Sequence, residues 1–251
     1  MKIITCYKIV PEEQDIVVKD DRTLSFDRAE WKIGQYDLNA VEAGMKLAEA
    51  TGGSASALSI GGKELENSKL KKGILSRGPK ELFIIADDYL READTFQTAS
   101  ALAAAIKKMG SFDLILCGEG SSDLYAQQVG PQLGQLLGVT TLNAVSKIIP
   151  EGNKLVVERT LEDEVEVLEV TLPAVISVTT DINLPRIPGM KDILAAGKKP
   201  VTQWCLADIG TENIDCPTRS ISTLAPDQTE RKQIILEGEE AVQKLYDAVF
   251  K

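Results

Sequence analysis

The 251-residue chain contains no histidine, four cysteines and only 5% aromatic residues. The missing histidines exclude a Ser-His-Asp triad, a Cys-His nucleophile pair, a histidine-ligated zinc site and a 2-His-1-carboxylate iron site within this chain. Cys6, Cys117, Cys205 and Cys216 are too widely spaced for a CxxC redox pair or a metal knuckle, so no metal site is expected. Cys6 and Cys117 each end an apolar run, the pattern of buried thiols in a reducing compartment. Long hydrophobic runs are absent as well. The longest uncharged stretch, 124–146, is interrupted throughout by Gln, Asn, Gly and Pro, which is too polar for insertion into a membrane. The opening MKIITC has no signal-peptide pattern, and a cytoplasmic protein is the expectation. Bases are in the minority, 28 against 38 acids for a net charge of −10, which argues against nucleic acid as a partner.

What is present is alternation. Short apolar runs at 2–7, 55–60, 81–86 and 113–117 have strand length and β-branched content. Between them Leu38, Val41, Met45 and Ala48 form one helical stripe, Leu65, Leu70, Ile74 and Leu75 a second, and Ala99, Leu102, Ala103 and Ile106 a third. Strand and helix alternating at this pitch predict an α/β fold with a parallel sheet, right-handed crossovers and helices on both faces. After Pro150 the pattern changes. Runs at 154–161 and 164–172, joined by Glu162-Asp163, predict an antiparallel hairpin, with a bulge where the apolar parity switches near Val167-Leu168. Residues 174–178 can rejoin the sheet, 190–196 form a short helix, 201–236 read as irregular and 239–250 as an amphipathic helix. Two regions follow: an α/β domain over 1–200 and a C-terminal arm over 201–251.

Parallel sheets bind ligands beyond the carboxyl ends of their strands. Three ends stand out here: Cys6, the turn Ser59-Ile60-Gly61-Gly62, and the loop Cys117-Gly118-Glu119-Gly120-Ser121-Ser122-Asp123. Their glycines admit close backbone approach, and Ser121, Ser122 and Asp123 are competent N-caps for a helix running toward Leu137. Turns with ordinary caps would carry the same residues. The loop has two acids and no base, and no phosphate-loop motif follows any strand, which favours holding a nucleotide over cleaving it. The hairpin acids Glu158, Glu162, Asp163, Glu164, Glu166 and Glu169 read as a charged, solvated edge. The segment 181–199 is basic through Arg186, Lys191, Lys198 and Lys199. With its prolines and Leu184, Ile187 and Met190 it reads as a rigid, partly apolar docking protrusion.

The run Val157-Glu158-Arg159-Thr160-Leu161-Glu162-Asp163-Glu164-Val165-Glu166-Val167-Leu168, followed by Pro173-Ala174-Val175-Ile176-Ser177, resembles the signature of electron transfer flavoprotein β subunits. The resemblance extends to Lys8, Val10-Pro11, Tyr36-Asp37-Leu38-Asn39-Ala40-Val41-Glu42, Ser76-Arg77-Gly78 and 181–199, and is strongest to the Fix-type branch of anaerobic carnitine and acyl-CoA metabolism and of electron supply to nitrogen fixation. It implies an adenine nucleotide α-hydrolase-like fold and an electron carrier without catalytic residues of its own. It also implies an α subunit holding most of the redox FAD, and AMP or a second FAD in this chain. Carried over by position, the nucleotide would touch Cys6, Gly34, Gln35, Tyr36, Asp37, Ile60, Gly61, Gly118, Glu119, Gly120, Ser121, Ser122, Asp123, Gln127, Gln128 and Val129. Asn183, Leu184, Pro185, Arg186, Ile187, Pro188 and Met190 would form a recognition loop for acyl-CoA-type dehydrogenases, with a quinone-linked oxidoreductase among the acceptors. The chain lacks both the aspartate run of AMP-binding members and the Asp-Gly-Asp-Thr motif of bifurcating ones, and has Thr160 where an acid is common. A second reading is a stand-alone ATP- or AMP-binding module of the universal-stress type.

Overall fold

The computed structural model describes residues 1–211, 214–227 and 233–250. Among them nine strands share one sheet: β1 (Lys2–Cys6), β2 (Ser54–Gly61), β3 (Leu82–Ala86), β4 (Leu114–Gly118), β5 (Thr140–Glu151), β6 (Lys154–Thr160), β7 (Val165–Thr171), β8 (Ala174–Val178) and β9 (Val201–Trp204). Their order across the sheet is β7-β6-β5-β8-β4-β1-β2-β3-β9. Pairing is parallel from β5 to β9 and antiparallel among β5, β6 and β7. The helices are α1 (Gln35–Thr51), α2 (Ser68–Leu75), α3 (Thr95–Met109), α4 (Val129–Leu137), α5 (Met190–Ala196) and α6 (Ala241–Phe250). The chain divides into a large unit, Met1–Ile16 with Phe26–Ile221, and a small one, Val17–Ser25 with Ser222–Lys251.

Alternate residues of the central strands are buried on opposite faces, which is why these strands read as continuous apolar runs. Ile4, Cys6, Ile115 and Cys117 pack with Leu102 and Ile106 of α3 and Leu133 of α4. Ile3, Leu114 and Leu116 pack with Ala40, Ala43 and Leu47 of α1 on the other face. Gly44 lets α1 lie close to β1, since a Cβ there would stand 2.5 Å from Thr5 Cγ2.

Two expectations change. Val201–Trp204, within the segment expected to be irregular, pairs with β3 as the outermost parallel strand, and Trp204 stacks on Phe83 at 5.3 Å. The hairpin forms as read, but β6 and β7 pair in unbroken register. The switch in parity reflects a two-sided strand instead: Val165 and Val167 are exposed on one face while Val170 is buried on the other. The irregularity lies across the sheet in β5, where Ala144 has φ 56° and the register with β6 shifts between Glu158 and Arg159. Arg159 supports that bend, its guanidinium donating to Asn143 O at 2.9 Å and Asn143 Oδ1 at 2.8 Å. Three of the six hairpin acids are matched across strands, as Lys147–Glu158, Lys154–Glu169 and Arg159–Glu166. That pattern fits an edge kept from further pairing by charge.

The small unit holds a two-stranded ribbon, Val17–Val18 with Leu24–Ser25, bridged at Thr23 to Leu224. It also contains α6, none of whose residues is buried. No helix among the described residues is long and apolar enough to cross a membrane.

Candidate functional site

The chain adds β2 and β3 on one side of β1, then returns to add β4 and β8 on the other. The carboxyl ends of β1 and β4 therefore form a switch point, the position where an open α/β sheet leaves a crevice between diverging loops.

Asp37 organises that crevice. It occupies the first turn of α1 and is buried, and its Oδ2 accepts from Lys8 N at 2.7 Å and its Oδ1 from Gly118 N at 3.2 Å. One carboxyl thus joins the segment after β1, the end of β4 and the start of α1. Gly118 is required for this approach, because a Cβ there would meet Asp37 Oδ1 at 2.7 Å and Tyr36 Cβ at 2.8 Å. Burial pushes the Asp37 carboxyl up to about 7, against the pull of the two backbone N–H donors. Lys8 Nζ pairs with Asp123 Oδ2 at 2.6 Å, so this lysine is not an uncommitted phosphate-binding charge. Burial raises the Asp123 carboxyl, but the Lys8 ammonium outweighs it and holds the group below its ordinary range.

The loop after β4 departs from expectation. The helix toward Leu137 begins at Val129 with Gln128 as its N-cap, so Ser121, Ser122 and Asp123 do not cap it. Tyr125 and Gln127 have φ of 47° and 56°, a left-handed backbone that cannot propagate a right-handed helix. Asp123 instead spends one oxygen on Leu124 N and the other on Lys8. The loop folds back on itself, with Tyr125 N donating to Ser121 O at 2.9 Å, and is tied to the neighbouring strand by Glu119 N donating to Val178 O at 3.0 Å. Tyr125 lies against Tyr36 with ring centroids 5.3 Å apart, and Gly120 makes room for it, since a Cβ there would stand 2.5 Å from the ring.

The helices divide by how they begin. Asn67 caps α2 and Asp94 caps α3, the latter in a reciprocal box with Gln97. At the crevice, α1 starts at Gly34 and α4 at Gln128, and neither receives a side-chain cap. The Gln128 amide is engaged elsewhere, its Oε1 accepting from Thr95 Oγ1 at 2.8 Å. The first-turn N–H groups of α1, and those of Val129 and Gly130 in α4, are thus left without a side-chain cap, Pro131 having no N–H to offer.

The residues expected at the site gather around this crevice with two exceptions. Cys6 contributes backbone only: its side chain lies in the core beside Cys117, and the hydrogen bond to that thiol, then burial, push its own thiol well up. Ile60 and Gly61 lie one strand away, with Ile60 packed into the apolar cluster under α3 and Gly61 O accepting from Asp87 N. Tyr125 lies within the expected stretch 118–129, and its ring is placed against that of Tyr36.

Beside the crevice, 183–190 leaves the end of β8. Leu184 and Ile187 are almost fully exposed, at 89% and 93%. The basic character expected of 181–199 is partly spent internally. Arg186 pairs with Glu42 and Glu49, and Lys199 Nζ donates to the carbonyls of Leu75, Gly78 and Pro79 behind α2.

A family model described as "Electron transfer flavoprotein domain" matches residues 23–209, a span that holds α1, the loop after β4, the hairpin and the exposed loop. The chain belongs to the electron transfer flavoprotein family, whose members carry electrons in association with flavin.

Proposed function

We propose that the chain is the β subunit of a heterodimeric electron transfer flavoprotein of the Fix-type branch, a cytoplasmic carrier between an acyl-CoA-type dehydrogenase and a quinone-linked or other acceptor. The observation that carries this reading is the β1–β4 switch point, where Asp37 in the uncapped first turn of α1 ties the segment after β1 to the end of β4. That arrangement suits permanent retention of a nucleotide, AMP or a second FAD, by backbone donors. It supplies no free lysine–carboxylate set for phosphoryl transfer. The flavin provides the redox chemistry. This chain's groups bind and orient: the first turns of α1 and α4 hold phosphate, Asp37 fixes the two loops, and the glycines at 118 and 120 allow close approach. Leu184, Ile187 and Met190 offer an apolar contact for the electron donor.

The heterodimer is the first test. Co-expression with a candidate α subunit is expected to give a 1:1 complex with flavin absorbance that is reduced by an acyl-CoA dehydrogenase and its substrate. Colourless protein, or a chain that purifies only with itself, would contradict the reading.

A further inference from the structure

A loop that exposes its apolar residues gains no stability from burying them, so its shape must be set by other contacts. For 183–188 those contacts come from one face of α1. Asn39 Nδ2 donates to Thr180 O at 3.0 Å and Asn183 O at 2.7 Å, and Asn183 Nδ2 donates back to Asn39 O at 3.0 Å. One turn along, the buried Glu42 receives Arg186 three times: from Nε at 2.7 Å, from the backbone N at 3.2 Å and from Nη2 at 3.3 Å. Two turns further, Glu49 Oε1 accepts from Arg186 Nη1 at 2.9 Å. Asn39, Glu42 and Glu49 recur at i, i+3 and i+10, a single stripe of the helix facing the loop. Glu42 is 5% exposed, and a carboxylate at that depth is costly without its fork-shaped partner. Lys46 Nζ reaches it only at 4.0 Å.

We infer that Asn39 and Glu42 are positioning residues for docking: they clamp the exposed loop to α1 so that Leu184 and Ile187 are presented in one fixed arrangement. Arg186 is the bolt of this clamp and not a docking charge. The surface that meets Leu184 and Ile187 is therefore apolar, and ordering of the loop is complete before the partner arrives, which spares the association that entropy. The inference rests on reading this loop as the docking element.

Two readouts on the purified heterodimer separate the clamp from the docking. Trypsin must take an arginine side chain into its own pocket, so the Arg186–Ile187 bond is expected to resist cleavage although Ile187 is 93% exposed. Glu42→Gln is expected to speed cleavage at that bond about tenfold, the ratio set by losing one charge-assisted hydrogen bond, with other sites cut at the parent rate. Arg186→Lys, which keeps a tryptic site and a charge but loses the fork, is expected to do the same and covers the case in which Glu42→Gln fails to fold. With an acyl-CoA dehydrogenase as electron donor, both variants are expected to raise the KM for the heterodimer about tenfold while leaving kcat unchanged. Unchanged cleavage in both variants would overturn the clamp whatever docking does. Faster cleavage with an unchanged KM would overturn the positioning role. An unchanged KM in Leu184→Ala/Ile187→Ala would overturn the docking reading and the positioning role with it, while the cleavage result would still report on the clamp.

Discussion

Replacing Asp37 with asparagine is expected to flatten the pH dependence of stability between pH 5 and 7. The carboxyl is pushed by burial to about 7, above the ordinary carboxylate range near 4 of an unfolded chain. Between those values the folded protein holds a proton that the unfolded chain has released. The stability associated with that proton is fully present below about pH 4 and is lost as pH rises through about 7, with a slope of up to about 1.4 kcal/mol per pH unit. Asp88 and Asp123, held below the ordinary range by Arg91 and Lys8 respectively, act in the opposite direction but at lower pH. With no histidine in the chain, no other side-chain type ordinarily titrates in the window, so the Asp37 contribution stands alone. Denaturant unfolding at half-unit pH steps should show the parent protein weakening from pH 5 to 7 and Asp37→Asn remaining level. Asp37→Ala is more severe. It strands two inward-facing backbone N–H groups, those of Lys8 and Gly118, at about 1–3 kcal/mol each, and should release the nucleotide as the two loops separate. A parent protein that is flat across this window would remove the special status of Asp37.

The second large effect concerns α6. Val242, Leu245, Tyr246 and Val249 recur at helical spacing, and all four are exposed, as are Phe250, Ile234 and Ile235. A helix with an apolar stripe and nothing buried gains its stability by lying against another surface. On the heterodimer reading that surface is the α subunit. Leu245→Asp/Val249→Asp is then expected to weaken the complex by at least about a hundredfold, since buried apolar anchors of this kind each contribute about 2 kcal/mol or more. The sheet of the large unit should keep its far-ultraviolet signal. Sedimentation equilibrium of the two subunits checks this directly, and an unchanged Kd would remove α6 from the subunit interface.

Much of the fold is legible in the sequence. The four strands of the first half, the three stripes that became α1, α2 with its preceding turn, and α3, the hairpin and the rejoining strand all follow from apolar period and turn chemistry, which are local properties. Strand order is not local. Three strand ends were equivalent candidates, and only the placement of β1 between β2 and β4 selects one crevice over the others. The cap assignment at Ser121, Ser122 and Asp123 failed for a related reason. Their side chains suit a helix start, but Lys8 claims Asp123 across 115 residues, and the left-handed Tyr125 and Gln127 delay the helix to Val129. Strand β5 was missed because Thr140–Glu151 alternates around an irregular bend, and the residue that supports the bend, Arg159, lies on another strand. Arg186 reads from sequence as part of the basic character of a docking segment, whereas its partners Glu42 and Glu49 are on α1, far away in the chain. In each case the deciding contact is long-range.

The central claim is that this fold retains a nucleotide at the β1–β4 switch point as one half of an electron-transferring heterodimer. It is tested most directly by mass spectrometry of whatever is released when the purified complex is denatured, compared with the Gly118→Val complex, whose added side chain would displace Asp37 and Tyr36. The account predicts FAD from the complex in both cases, together with a stoichiometric second nucleotide, AMP or a second FAD, from the parent alone. ATP released from a homodimer of this chain, or a nucleotide content that Gly118→Val leaves unchanged, would contradict it.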